Sequence, residues 1–382
     1  MTDICLAAVE AYAFRVPIRE PIKVAFGTFR DRPCVMVRVL DKDGAEGWGE
    51  AWCNWPAVGA EHRARLVADI AERLINRTFT SPTELFRQLS AELEVLVLQT
   101  GEIGPIAQAV AGIDIAVWDL VARKQELPLH QLLGGKPVSE VPVYATGINP
   151  DRPEDYALAR LAEGHRAFKL KTGFGSELDR RNLCAMRSAL GDSMTLMMDA
   201  NQSLTLDGAI DLARDTSELN LLWFEEPMRI DVCAEQWRAL AKASSSPLAG
   251  GENLRGQELM EAAEGDVLHV IQPDITKWGG FSGTLPVAQA AVSRGKLFCP
   301  HVFGGGIALI AGLQILAAAG GGGLLEFDCH PNAGRELIIG DALPVRNGRV
   351  PVPKGPGLGV VPDLETLAPF RSLAVSTGSM SL

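Results

Sequence analysis

The sequence predicts an α/β protein built on a parallel (β/α) barrel, with a smaller α+β region ahead of it. Two observations carry this reading. From Val141 onward, short apolar runs alternate with amphipathic stretches, the signature of parallel strands separated by outer helices. The later runs also end in polar groups at near-constant intervals, which places those groups together on one rim of the barrel.

The region ahead of Val141 reads differently. Cys34-Val-Met-Val-Arg-Val-Leu40 alternates as a half-buried strand, Asp41–Gly44 supplies a turn, and Ala45–Glu50 returns as the second arm of a hairpin. Helical patterns follow over Glu61–Asn76, Pro82–Leu98 and Gly104–Lys124. In the last, Ile106, Val110, Ile113, Val117, Leu120 and Val121 share one face. Ser81-Pro82-Thr83-Glu84 has the composition of a helix start. Leu133-Gly-Gly-Lys136 closes this part. The barrel runs are Val141–Thr146, Ala167–Lys171, Thr195–Asp199, Leu221–Glu225, Pro247–Glu252, Val267–Asp274, Lys296–His301 and Gly323–Glu326. The uncharged stretch Gly304–Leu325 is long enough to cross a bilayer. Its glycines, Gly320–Gly323 above all, mark it instead as a buried helix between the last two strands. The tail after Pro351, rich in Pro and Gly, is expected to wrap back over the first region.

Composition narrows the partners. The chain has 382 residues, 47% of them apolar and 22% charged, with a net charge of −11. That suits a packed core and opposes binding to nucleic acid or to an anionic membrane surface. Seven scattered cysteines without a Cys-x-x-Cys fit free thiols in a reducing, cytoplasmic compartment. Met1–Phe14 has no basic start and carries Asp3 and Glu10, so no signal peptide is expected.

The runs end in Lys171, Asp199, Glu225, Glu252, Asp274, His301 and Glu326, at steps of 28, 26, 27, 22, 27 and 25 residues. One strand, one helix and two short loops take about that length. Asp199, Glu225 and Glu252 come from three successive strands. Three carboxylates aimed at one point repel unless a cation lies between them, and all-oxygen donors suit Mg²⁺, with Mn²⁺ as substitute. Lys169 and Lys171 lie two apart and so face the barrel interior together. Each is expected to lower the other's pKa, as a lysine base requires. Asp274 and His301 form a dyad in which the carboxylate raises imidazole basicity and fixes its tautomer.

The chemistry these groups suit is removal of a hydrogen beside a carboxylate. A cation on the substrate carboxylate, helped by Lys169 and Glu326, stabilises the resulting dianion, and Lys171 or His301 takes the proton. Returning a proton to the other face gives racemisation or epimerisation. Losing a β-hydroxyl gives dehydration, and expelling a ring oxygen opens a lactone.

Across nearly the whole chain, the sequence resembles the enolase superfamily and, within it, the mandelate racemase-like subgroup. The resemblance rests on Lys169-Leu-Lys171, Met198-Asp199-Ala-Asn201, Phe224-Glu225-Glu-Pro227, Gly250-Gly-Glu252-Asn253, Gln272-Pro-Asp274 ahead of Gly279-Gly280, and Pro300-His301. It implies a modified (β/α)7β TIM-type barrel over residues 131–350, an N-terminal α+β capping domain over 1–130, and a segment 351–382 returning to the cap. It implies Asp199, Glu225 and Glu252 as metal ligands, Lys171 and the His301–Asp274 dyad as bases, Glu326 as a hydrogen-bond partner of the substrate carboxylate, and Asn201 as a polar contact near the metal. Asp274 stands where muconate-lactonising and dipeptide-epimerising relatives place a base lysine, with Lys277 nearer the glycine pair. Ala145-Thr-Gly147, Lys171-Thr-Gly-Phe-Gly175, Pro300-His-Val-Phe-Gly304 and Leu325-Glu-Phe-Asp-Cys-His-Pro-Asn332 look like acid-sugar dehydratases and galactarolactone cycloisomerases, with His330 in the turn after the last strand. The substrate-selecting cap loops are then Glu20–Arg32 and Ala51–Glu61, carrying Lys23, Phe26, Arg30, Asn54 and Trp55. Their basic and polar groups suit a hydroxylated or dicarboxylic acid. A homo-oligomer is the usual state of the family.

Overall fold

The structure, a computed structural model, describes residues 3–24 and 27–379, the side chains of residues 19, 20 and 22–24 excepted. The chain opens with an antiparallel meander of β1 (Ile4–Val24), β2 (Gly27–Asp41) and β3 (Glu46–Ala51). The turn between β2 and β3 follows from its residues: Asp41 Oδ1 accepts from the backbone N–H of Asp43 and of Ala45, each at 2.9 Å, and Gly44 takes φ +81°. The stretch Glu20–Arg32, expected as a loop, is instead paired strand over its described residues, 20–24 and 27–32. After a register shift beyond Pro17, the β1–β2 ladder resumes at Ile22↔Phe29.

Three helices follow, α1 (Gly59–Ala71), α2 (Pro82–Thr100) and α3 (Ile103–Lys124); α1 and α3 lie on the sheet, and α2 packs against α3. α2 starts as its sequence predicts, with Ser81 Oγ accepting from Glu84 N–H at 3.1 Å, and it ends at Gly101 in the left-handed region. α1 stops five residues before the predicted Asn76, and the chain leaves it in turns. α3 sits directly on β3 because Gly47 and Gly49 carry no side chain. A Cβ there would lie 2.1 Å from the carbonyl oxygens of Ala116 and Gly112. Among the described residues, α3 is the helix long and apolar enough to cross a membrane, and here it is the buried core of the cap.

A two-residue strand, β4 (Thr78–Phe79), pairs with β1. Eight parallel strands then follow: β5 (Glu140–Ile148), β6 (Ala167–Lys171), β7 (Thr195–Asp199), β8 (Phe224–Glu225), β9 (Leu248–Gly250), β10 (Val270–Ile271), β11 (Leu297–Phe298) and β12 (Leu325–Asp328). Their order is β11-β10-β9-β8-β7-β6-β5-β12, a sheet curled into a TIM-type barrel. Its two end strands meet where Leu324 N–H points at Cys299 Sγ, 3.3 Å away, and where a Cβ on Gly323 would strike the Phe298 carbonyl. β8 to β11 are shorter than the apolar runs suggested. Pro273 and Pro300 donate no ladder bond, and Gly251, at φ +137°, turns the chain out of the sheet. β13 (Arg349–Pro351) pairs with β5, and β14 (Arg371–Gly378) lies against β1 in the cap. The helix Gly306–Ala319 is buried, as expected for that uncharged stretch.

The pleat decides which groups face inward. Tyr144, Ala167, Met197, Ala249 and Val270 on the strands, with Trp223 just before β8 and Cys299 just after β11, form a buried layer inside the barrel. Phe168, Leu170, Leu196, Met198 and Phe224 pack outward against the helices. Two residues beyond the inner layer, the interior positions are Lys169, Asp199, Glu225, Gln272 and His301.

Candidate active site

The register of the sheet assembles the site. Lys171 pairs with Asp199 across β6 and β7, and Asp199 with Glu225 across β7 and β8. Lys169 is fully buried beneath this row. Its Nζ lies 2.6 Å from Glu225 Oε1, 2.9 Å from Glu326 Oε1 and 3.5 Å from Asp199 Oδ2, and 5.3 Å above the Tyr144 ring. Lys171 Nζ donates to Asp199 Oδ2 at 2.5 Å. Glu225 Oε2 accepts from Trp223 Nε1 at 3.0 Å and Gln272 Nε2 at 2.7 Å. Glu252 accepts from Lys277 Nζ at 2.5 Å, and His301 Nε2 stands 3.4 Å from the same oxygen.

The dyad is formed. His301 Nδ1 is 2.8 Å from Asp274 Oδ2, while Asp274 Oδ1 accepts from the N–H and hydroxyl of Thr276. Burial works against the imidazolium, but Glu252, Glu326 and Asp274 outweigh it and raise His301 to about 9. Asp274 is held below the usual carboxylate range: burial opposes this, but His301 and Lys277 prevail.

The lysine pair departs from expectation. Burial lowers Lys169, but Glu225, Glu326, Tyr144 and Asp199 together raise it well above its ordinary value. Lys171 is likewise raised, because Asp199 outweighs both burial and the neighbouring Lys169. Repulsion between the two ammonium groups is real, but each lies closer to a carboxylate than that repulsion can offset.

Above the carboxylates opens a cavity of about 270 Å³. Lys171, Asn201, Glu252, His301 and Glu326 reach it from the barrel, and Asn54 and Trp55 from the cap. Asn201 has φ +43°, and its backbone N–H donates to Asp199 Oδ1 at 2.8 Å. The Asn54 amide nitrogen is engaged by Phe303 O at 2.8 Å, and the Trp55 ring lies 4.6 Å from Phe29. Arg30 is exposed on the β1–β2 hairpin. Phe26 and the Lys23 side chain lie outside the described residues. His330 sits in the turn after β12 with Nδ1 on Asp328, away from the cavity lining.

Sequence reasoning missed Glu226, Asn253, Trp52 and Phe303 as cavity residues. A strand pleat would turn Glu226 away from Glu225, but its φ of +36° swings it to the cavity, where Asn253 Nδ2 donates to both its oxygens. The Glu-Glu-Pro sequence, ending the strand at once, was the available signal.

The donor set suits a hard cation. Among the described residues, no three acidic, histidine or cysteine side chains stand in a ready ligand cluster. Asp199, Glu225 and Glu252 are each engaged by a lysine instead. Negative charge is nevertheless in excess: burial and then Asp199 push Glu225 up, and burial and then Glu252 push Glu226 up. A divalent cation relieves that excess, and oxygen donors are what Mg²⁺ takes.

Comparison with known proteins fits this geometry. Residues 8–134 match the mandelate racemase/muconate lactonizing enzyme N-terminal domain, and residues 154–366 match the enolase C-terminal domain-like model. This chain belongs to the mandelate racemase-like subgroup of the enolase superfamily. It is 34% identical to a D-galactarolactone cycloisomerase of Agrobacterium fabrum, over 96% of this chain and 98% of that protein. It is 47% identical, with a TM-score of 0.90, to a mandelate racemase/muconate lactonizing enzyme structure from Bordetella bronchiseptica RB50, covering 96% and 99% of the two chains. The L-talarate/galactarate dehydratase of Salmonella typhimurium LT2, solved with Mg and L-lyxarohydroxamate, is 27% identical with a TM-score of 0.86, covering 99% and 95%. The protein is an enzyme of the lyase or isomerase type in a magnesium-dependent superfamily.

Proposed function

We propose that this enzyme removes the hydrogen α to the carboxylate of a hydroxylated sugar acid and expels the β-hydroxyl, as an acid-sugar dehydratase. The observation that carries this reading is that Lys171 and His301 line one cavity together with Glu252 and Glu326, with Asp274 bound behind the imidazole. Asp199, Glu225 and Glu252 would hold Mg²⁺, which when bound supplies positive charge against the charge that builds on the substrate carboxylate. Lys171 acts as base once Asp199 Oδ2 no longer faces its Nζ. His301, protonated at neutral pH, gives its Nε2 proton to the departing oxygen, and Asp274 holds the imidazole in place. Burial raises Glu326, but Lys169 and then His301 outweigh it and hold it below the usual carboxylate range, so Glu326 hydrogen-bonds the substrate carboxylate only once it takes up a proton there. Trp52, Trp55 and Phe303 cover the reacting carbons and exclude water.

A second reading is favoured by the full-length similarity to the cycloisomerase. There the leaving group is the ring oxygen of an aldarolactone, expelled by the same two residues. A panel of aldarates, aldonates and their lactones separates the two. Keto-acid formed from an open acid with loss of water supports dehydration, and product formed only from lactones supports ring opening. Lys171→Ala and His301→Asn should each lower kcat by about 10²-fold or more. A panel that yields neither product sinks both readings.

A further inference from the structure

His301 runs on through Val302-Phe303-Gly304-Gly305 into the buried helix Gly306–Ala319. That helix has no acidic residue in its first turn and no side-chain cap of its own. Its leading amides are met from the cap. Glu50 on β3 accepts from Gly305 N–H through Oε1 at 2.6 Å and from Ala308 N–H through Oε2 at 2.9 Å. The glycines make room for this carboxylate: a Cβ on Gly304 would lie 2.7 Å from Glu50 Oε1, and one on Gly305 3.0 Å from Oε2. The flanking peptides are held too, Phe303 O by Asn54 at 2.8 Å and Gly304 O by Asn332 at 3.1 Å. The Phe303 ring carries the Arg32 guanidinium, 4.2 Å from its centroid.

We infer that Glu50 is a positioning residue: by capping the helix after β11 from the other domain, it sets segment 302–306 and, with it, the aim of the His301 imidazole. Seating of the cap and alignment of one acid–base group are then a single event. The physical basis is a buried carboxyl at a helix N-terminus that accepts two backbone hydrogen bonds, charge-assisted when it is ionised. A catalytic group moved by about 1 Å loses up to about a hundredfold in rate. The kinetic consequence rests on the enolising site proposed above; the structural one does not.

Three variants approach the same contact. Glu50→Gln removes the charge and one acceptor, Glu50→Asp keeps the charge on a shorter arm, and Gly305→Ala presses on the carboxylate from the barrel side. Asp119→Asn is the control. It alters another buried cap carboxylate, which accepts from Leu358 N–H and from Trp48 N–H on β3, and so disturbs the same strand as Glu50 without touching the Gly305 and Ala308 amides. The first readout is the NMR signal of the proton between His301 Nδ1 and Asp274, assigned by its loss in His301→Asn and needing no substrate. It should shift or broaden in Glu50→Gln and Gly305→Ala, recover partly in Glu50→Asp, and stay unchanged in Asp119→Asn. A signal unmoved in Glu50→Gln and Gly305→Ala, or moved as much by Asp119→Asn, overturns the inference. The second readout is α-hydrogen exchange in D₂O on two α-epimers of an accepted acid. The His301-dependent rate should fall about tenfold to a hundredfold while the Lys171-dependent rate holds; equal losses on both faces contradict it. If wild-type enzyme exchanges neither epimer, the functional reading fails, and the imidazole signal still decides the role of Glu50.

Discussion

Charged side chains at the mouth of the barrel are held by opposite charges or by backbone amides. Lys171, Lys169 and Lys277 each face a different one of the three candidate ligand carboxylates, and His301 faces Asp274. Farther out, Arg32 from the cap pairs with Asp328 from the barrel, and both are buried. Asp328 also lies 2.9 Å from His330 Nδ1; burial opposes its ionisation, but Arg32 and then the His330 contact hold its carboxyl well below the usual range. Asp328→Asn leaves the Arg32 cation buried without its partner, so unfolding in urea should show a loss of about 3–5 kcal/mol. A loss under about 1 kcal/mol would mean the pair behaves like an exposed one. At this scale the sequence was informative about which residues meet and wrong about the lysine pair, which it expected to be lowered and which the structure raises. The in-phase spacing was enough to gather Lys171, Asp199, Glu225, Glu252, His301 and Glu326. The raised lysines follow from ångström-scale distances to Asp199 and Glu225, which spacing does not contain.

Strands and helices place these residues, and the junction between cap and barrel is made by their ends. Glu50 on β3 and Asp114 on α3 each bind the first amides of a barrel helix, at Gly305 and Ala308 in one case and at Ser282 in the other. Burial pushes both carboxyls up to about 7. A carboxyl with a raised folded-state pKa stabilises the fold fully below its unfolded pKa, and that contribution is lost as pH rises through the folded value. The stability of the parent protein should therefore fall, relative to Glu50→Gln, between about pH 4.5 and pH 7, by on the order of 3 kcal/mol. Parallel unfolding curves for the two proteins across that window would contradict this. The β6 and β7 boundaries were legible because short apolar runs ending in Lys171 and Asp199 read the same in sequence and structure. β10 and β11 were overestimated, since a run containing Pro273 or Pro300 looks continuous in hydropathy but stops donating ladder bonds. The β1–β2 hairpin was missed because Pro17, Pro21 and Pro33 read as strand breakers, although the pairing is local, with Ile22 opposite Phe29.

For the molecule as a whole, the barrel fixes the acid–base chemistry, and the cap completes the cavity. The barrel was legible because its periodicity recurs over many units, whereas the cap contributions at Asn54, Trp55 and Glu50 depend on how two sheets pack. A ligand bound only by the folded state stabilises it, by about 2.7 kcal/mol at a hundredfold excess over Kd. Mg²⁺ should therefore raise the unfolding temperature of this protein. The rise should shrink in Asp199→Asn or Glu225→Gln, whose side chains take one formal charge out of the donor set. An equal rise in parent and variants would place the cation elsewhere.

The central claim is that Lys171 and the His301–Asp274 dyad move the α-hydrogen of a sugar acid. Its most direct test is ¹H NMR of the magnesium-loaded enzyme with acid sugars in D₂O. The account predicts loss of the α-hydrogen signal from at least one of them, abolished in a Lys171→Ala, His301→Asn double variant. Retention of the α-hydrogen in every acid sugar offered, or exchange that persists unchanged in the double variant, would contradict it.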